Sequence, residues 1–297
     1  MRLRLQGVAT PCPERLYPVR GMAIGGGAPG PRRYATNAPQ HDATPAAFER
    51  WTAAAFAGHL AELEWAEITR ALRALSVDYV HRRERLARAV DGRGKRAAFA
   101  LYYAPRHYVL VREVLRAVGA GAHARPDLVV DLGCGTGVAG AAWSALWAPP
   151  VSILGVDTQA WALDQARAAY RGLDVPGRTL GADLSRLRWP RGALGVVAAF
   201  TANELQAPVR TRLRTTLAAR AQRGDALLVI EPLAKRTAPW WPEWEDAFVA
   251  RGGRADEWRF PVELPERVAA LGRSAGLDPR DLGCRSLWIP ARDERAP

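Results

Sequence analysis

The chain has little cysteine, almost no lysine and no long apolar run, and each shortage closes off a class of protein. Its three cysteines, Cys12, Cys134 and Cys284, lie far apart with no paired spacing. That excludes a zinc ribbon, a Cys-x-x-Cys redox site and a disulfide framework, and it fits a reducing, cytoplasmic setting. No stretch of about 18 apolar residues occurs, which argues against a transmembrane helix and a membrane role. His41, His59, His81, His107 and His123 stand at no metal-ligand spacing with acids, so no metal site is expected. The opening MRLRLQGVATPCPERLYPVRG has basic residues but no apolar core, against a secretory signal, and residues 1–33 lack serine, against a transit peptide. A solvated tail, or initiation at Met22, is the expectation for that end.

What remains is ordinary in bulk and unusual in charge. At 297 residues, 48% apolar and 24% charged, the chain can bury a substantial core. The net charge is +12, and of 42 basic residues only Lys95 and Lys235 are lysine. Two readings of the arginine excess stand open: a coding bias shared with alanine, glycine and proline, or a basic surface for RNA or another anionic partner.

Residues 1–45 are rich in Gly, Pro and Ala without a period and read as a disordered tail. From residue 46 the pattern changes: Phe48, Trp51, Phe56, Leu60, Leu63 and Ile68 recur every three to five residues, the mark of amphipathic helices. This helical region runs over 46–122, with interruptions around Asp91 to Gly94 and at Pro105. After Asp127 strands and helices alternate, so 123–297 reads as an α/β domain with a mostly parallel sheet and helices on both faces. LVVDLG, SILGVD, RTLGADL, GVVAAFTANEL and DALLVIEP are the expected strands, with LGCRSLWIP as the last. WWPEWEDAFVARGG and PERVAALGRSAG read as helices.

The decisive stretch is VVDLGCGTGVAG, residues 129 to 140. A β-prone apolar run ends in an acid and is followed by glycines, the arrangement of a strand whose loop lets main chain approach a ligand. Read from Gly135, GTGVAG satisfies G-x-G-x-x-G, a lone match that leaves an NAD(P)-dependent oxidoreductase open. Read from Asp131, the string is Asp-x-Gly-x-Gly-x-Gly. That form resembles the first motif of class I S-adenosylmethionine-dependent methyltransferases. A pyrophosphate gains nothing from an acid at this point, whereas the ammonium of S-adenosylmethionine does. The resemblance covers about residues 100 to 232.

The resemblance implies a Rossmann-like class I methyltransferase sheet, S-adenosyl-L-methionine as cofactor, and a cofactor site of Asp131, Gly133, Gly135, Gly137, Asp157 and Asp183. Asp157 closes the second strand, where it would accept from the ribose hydroxyls. Asp183, in GADL after the third strand, would lie beside the adenine amino group. ALYYAPRHYVLVREVLRAV before VVDLGCGTG, with VVAAFTANEL and LLVIEP after it, is also similar to the methyltransferase-like family associated with the mitochondrial ribosomal small subunit, which has bacterial members. Three scattered cysteines cannot supply the iron–sulfur cluster of its eukaryotic members. That similarity suggests RNA or the ribosomal small subunit as a partner.

The methyl acceptor is left unidentified by these residues. Acceptor-side groups should come from FTANELQAP after the fourth strand, which makes Asn203 and Glu204 candidate catalytic residues, with Glu204 as base or amine holder. Tyr102, Tyr103, Arg106 and His107 could lid the pocket, and Tyr103 joins the catalytic set through its aromatic face. Glu231, Lys235 and Arg236 beside Trp240, Trp241 and Trp244 could bind a planar acceptor or anchor a helix. Cys134 sits in the glycine loop as a small residue. A cytosine-C5 cysteine and the Asn/Asp-Pro-Pro-aromatic signature are both missing, TANEL standing in place of the latter. A non-catalytic RNA- or ribosome-binding assembly factor remains the alternative from another class.

Overall fold

A computed structural model describes residues 46–81, 90–234, 238–277 and 280–292, and for 78–81 the backbone alone. The expectation for residues 1–45, and the placement of Lys235 and Arg236, lie outside the described residues. Helices α1 (Ala46–Leu60) and α2 (Trp65–His81) come first, followed by α3 (Arg93–Ala98), a π-helical turn (Phe99–Tyr103) and α4 (Ala104–Ala117). The α/β part then runs β1 (Leu128–Leu132), α5 (Val138–Ser144), β2 (Ser152–Asp157), α6 (Ala160–Gly172), β3 (Gly177–Gly181), β4 (Leu194–Ala199), α7 (Ala207–Gln222) and β5 (Ala226–Glu231). It ends with α8 (Trp241–Val249), β6 (Arg254–Pro261), α9 (Glu266–Ser274) and β7 (Asp281–Ile289).

One seven-stranded sheet results, in the order β3-β2-β1-β4-β5-β7-β6. Strands β1 to β5 are parallel, and β7 runs antiparallel to both of its neighbours. This is a Rossmann-like, mostly parallel sheet with helices on both faces and an α-helical N-terminal region, as the sequence implied. Successive residues of the buried strands face opposite layers: Val129 packs with α4, whereas Val130 packs with Leu213 and Leu217 of α7. The N-terminal helices share these interiors. Phe48 and Trp51 belong to the cluster of Val129 and Tyr108, while Phe56, Ile68, Leu72 and Leu101 pack with Val268 and Leu271 of α9.

Two elements differ from the sequence reading. GVVAAFTANEL is not one strand: β4 stops at Ala199, Phe200 takes φ +59, and Ala202–Glu204 forms a 3-10 turn. A positive φ on a bulky residue is rare and breaks the strand there. RADEWRFP, with charged residues inside it, was not foreseen as a strand; it is β6, an edge strand paired only to β7.

Tyr170 of α6 explains several glycines at once. A Cβ on Gly137 would lie 2.7 Å from its Cε1, one on Gly155 2.4 Å from its hydroxyl and one on Gly177 2.4 Å from its Cδ2. The ring is thus wedged behind the glycine loop, and its hydroxyl is buried without a hydrogen-bond partner among the described residues. Gly137 also has φ +77. Gly137→Ala should cost about 2–4 kcal/mol, combining left-handed backbone strain with overpacking. Tyr170→Phe should be neutral or stabilising, because it removes a desolvated hydroxyl and no hydrogen bond. Urea unfolding midpoints of both variants check this, and a large loss in Tyr170→Phe would contradict it.

Candidate functional site

A cavity of about 690 Å³ lies at the carboxyl ends of β1, β2, β4 and β5, lined by Asp131, Asp157, Phe200 and Glu231. The sheet order reverses between β1 and β4, the point where open α/β sheets leave a crevice for ligands. Of the nine residues singled out from the sequence, Asp131, Gly133, Gly135, Asp157, Asp183, Tyr103, Asn203 and Glu204 all line this one cavity. Gly137 does not. Its Cα is turned to Tyr170 and Ala166, so its role is packing rather than ligand approach.

The loop after β1 is held by carboxylates on its own N–H groups. Asp157 accepts from Gly135 N at 2.9 Å through Oδ2 and from Gln159 N at 2.9 Å through Oδ1. Asp131 Oδ2 accepts from Gly140 N at 2.8 Å, and a Cβ on Gly140 would come within 3.0 Å of that carboxylate. Gly133, at φ +61, lets Thr201 pack close enough for its hydroxyl to donate to Leu132 O at 2.9 Å; a Cβ there would sit 2.5 Å from Thr201 Cγ2. Asp183 caps the 3-10 turn Leu184–Arg186, accepting from Ser185 N at 2.7 Å at the exposed rim. Those Ser185 hydrogen bonds lower its pKa.

Burial makes the deeper acids reluctant to ionise. Asp131 is 1% exposed, and desolvation, opposed by the Gly140 bond and reinforced by the Asp157 charge, raises its pKa to about 8. Glu231, fully buried at the end of β5, is likewise pushed up to about 8 by burial. It accepts from Asn203 N at 3.1 Å and Asn203 Nδ2 at 2.6 Å, so it fixes the Asn203 side chain. Glu204 is reachable from the cavity, yet the protein mass around it, with the Asp157 charge, raises it to about 7. His107 moves the opposite way, to about 3, through burial and then the Arg106 charge.

The helical segment does supply a wall of the cavity. Phe99, Tyr102, Tyr103, Arg106 and His107 all line it, although Tyr102 is also core, with Gly272 pressed against its ring. Phe99, Trp161 and Phe200 escaped the sequence reading. The four-residue spacing of Phe99, Tyr103 and His107 was available as a signal, but which way that face pointed was not.

Two other expectations resolve as packing. Trp241 and Trp244 are buried against the sheet in the cluster of Leu227 and Val229, so the tryptophans anchor α8. Arg285 stacks over Trp241 at 4.3 Å and Arg210 over Trp240 at 5.2 Å. Cys134 is buried, and desolvation followed by Asp131 and Asp157 raises its thiol well above the usual range, the reverse of an activated nucleophile. Among the described residues no group of three or more His, Cys, Asp or Glu is placed to hold a metal ion, and no helix is long and apolar enough to cross a membrane.

Residues 129–223 match a family model described as a methyltransferase domain. A search among curated proteins finds no match. Among solved structures, magnesium protoporphyrin IX methyltransferase from Synechocystis with bound SAM aligns at 13% identity over 63% of this chain and 80% of its own, with a TM-score of 0.41. A ribosomal-protein methylase from Lactobacillus delbrueckii subsp. bulgaricus aligns at 15% identity over 63% and 77%, with a TM-score of 0.39. A SAM-dependent methyltransferase from Aquifex aeolicus aligns at 17% identity over 60% and 87%, with a TM-score of 0.40. The family match spans the glycine loop and four of the five parallel strands, so this part of the chain is similar to a methyltransferase domain.

Proposed function

We propose that the protein binds S-adenosylmethionine in this cavity and transfers its methyl group to an acceptor. The carrying observation is how the glycine loop spends its donors. The N–H groups of Gly135 and Gly140, which a dinucleotide's pyrophosphate would need, already donate to Asp157 and Asp131. The Asp157 carboxylate repels a phosphate there, and Asp131, protonated in the empty cavity, gains a reason to ionise when an ammonium or sulfonium approaches. An oxidoreductase reading built on GTGVAG loses its donors; the methyltransferase reading gains a counter-charge.

The residues present fit that cofactor. Asp157 spends one lone pair on each oxygen, so each oxygen retains capacity for a ribose hydroxyl. Asp131 engages Oδ2 with Gly140, and Asp183 engages Oδ1 with Ser185. In each the second oxygen is available, for the ammonium end and the adenine amino group respectively. When bound, the sulfonium supplies an electrophilic methyl group with a good leaving group. The chain's own work is alignment, exclusion of water and removal of a proton. Glu204, raised to about 7, is matched to the last task, and Asn203, held at backbone and side chain by Glu231, orients the acceptor. Tyr103 closes the wall opposite.

Calorimetric titration tests the cofactor: S-adenosylhomocysteine should bind more tightly than NADH, and the reverse order would overturn the reading. Asp157→Ala should weaken S-adenosylhomocysteine binding by about 1–3 kcal/mol, the loss of charge-assisted hydrogen bonds. Unchanged affinity would remove Asp157 from the site.

The arginine excess favours a second reading, an assembly factor whose outer surface binds RNA. It requires affinity for ribosomal RNA that falls steeply with salt, since phosphate contacts release counterions; absent or salt-insensitive binding would dismiss it.

The acids also set a pH dependence. Between their ordinary range and about pH 8, the folded chain keeps protons on Asp131 and Glu231 that the unfolded chain has released. Folding therefore becomes less favourable as pH climbs through that window. In Asp131→Asn the amide oxygen can still accept from Gly140, but nothing is left to ionise. The stability advantage of the variant should grow from pH 5 to pH 8, by up to about 1.4 kcal/mol per pH unit. Urea midpoints across that range measure it, and a pH-independent difference would refute the assignment.

A further inference from the structure

The cavity contains more aromatic surface than a nucleoside cofactor requires. The His107 ring lies parallel to Phe200, centroids 4.2 Å apart at 25°. Tyr103 is 6.1 Å from His107, and Phe99 meets both His107 at 6.1 Å and Trp161 at 6.2 Å edge-on. The π-helical turn and α4, the end of β4 and the first turn of α6 thus contribute rings to one continuous wall, and all five residues line the cavity. Such ring faces carry negative potential and attract cations.

Among the described residues the charges near that wall divide by place, with Arg96 5.6 Å over Trp161 at its outer end and the carboxylates at its inner end. Burial and Arg106 hold His107 near 3, so its imidazole is a neutral ring at physiological pH. Arg106 is the one arginine among the described lining residues, and it is directed at Tyr102, donating to its hydroxyl and lying 4.9 Å over its ring. The Glu204 carboxylate, in contrast, makes no hydrogen bond or ion pair with any described residue and faces the further negative charge of Asp157. Glu204 is solvent-accessible at the cavity mouth, and a carboxylate without a counter-ion beside a second negative charge is a ready partner for a cation delivered by a ligand.

We propose that the methyl acceptor is a small molecule bearing a basic amine on a flat or apolar frame, with the amine at Glu204 and the frame along the Phe99–Tyr103–His107–Phe200 wall. This rests on the methyl-transfer reading above. In the transfer it implies, Glu204 accepts the ammonium proton, the freed nitrogen lone pair forms the N–C bond, and the electron pair of the breaking C–S bond stays on sulfur. Carboxylate- and phosphate-bearing acceptors are disfavoured at the Glu204 end of the wall, where Asp157 adds negative charge and the one lining arginine, Arg106, is directed at Tyr102.

Two probes with the same ring and opposite charge test this in calorimetric titrations of the full chain: tryptamine and indole-3-propionate. Tryptamine should bind at least about tenfold more tightly, a ratio equivalent to a single unit-charge contact. Glu204→Gln should lower tryptamine affinity by about tenfold and leave S-adenosylhomocysteine affinity within about twofold. Tyr103→Leu should weaken tryptamine several-fold without restoring indole-3-propionate. Equal or tighter binding of indole-3-propionate would overturn the proposal. So would tryptamine affinity indifferent to Glu204→Gln, or a loss in that variant that falls on S-adenosylhomocysteine instead, which would assign Glu204 to the cofactor end. Amine selectivity in a wild-type protein that binds no S-adenosylhomocysteine would keep the amine site and remove the methyl-transfer reading alone.

Discussion

Two carboxylates grip the glycine loop by its own amides, and the rest of the site follows from that grip. Asp157 at the end of β2 holds Gly135, and Asp131 near the end of β1 holds Gly140, the third residue of α5. Each bond satisfies an N–H that the loop or the helix start leaves without an intrahelical partner. Each also places an acid where the backbone would otherwise attract an anion. The character of the cup therefore depends on which side chains hold it, and glycine content alone does not decide it.

The motif also combines glycines present for different reasons. Gly133 and Gly135 have positive φ and line the cavity. Gly140 brings α5 against β1, and Gly137 makes room for Tyr170 from behind. In the sequence all four look alike, because spacing records where side chains are missing and not what fills the space. Tyr170 lies 33 positions beyond Gly137, in a helix that read only as amphipathic.

Legibility elsewhere followed the same physics. SILGVD, read as a strand over 152–157, is β2 without adjustment, because a short β-branched apolar run between turn residues has one good use in an α/β chain. FTANEL was absorbed into β4 because Phe200 and Leu205 extend the apolar pattern; only the φ of +59 at Phe200 shows that the chain turns. β6 stayed hidden because the first four residues of RADEWRFP are all half-buried, so no clean alternation marks its start. The carboxylates of the site were found because acids at successive strand ends are visible in one dimension. The aromatic wall was not, since Phe99, Trp161 and Phe200 come from three elements that only the fold brings together.

A net charge of +12 and an acidic cavity are compatible because they act through different media. Ion pairs such as Arg50–Asp174 and Arg273–Glu266 are formed by exposed side chains, where water and salt confine their fields to about 8 Å. Asp131 and Glu231 are 1% and 0% exposed, so burial keeps their protons on at neutral pH, and their charge appears only when a cation is close enough to stabilise it. Bulk composition therefore bears on the outer surface, and the strand-end acids bear on the cavity. The same acids that make the empty cavity costly to ionise are what give it a preference, and burial is the common cause of both.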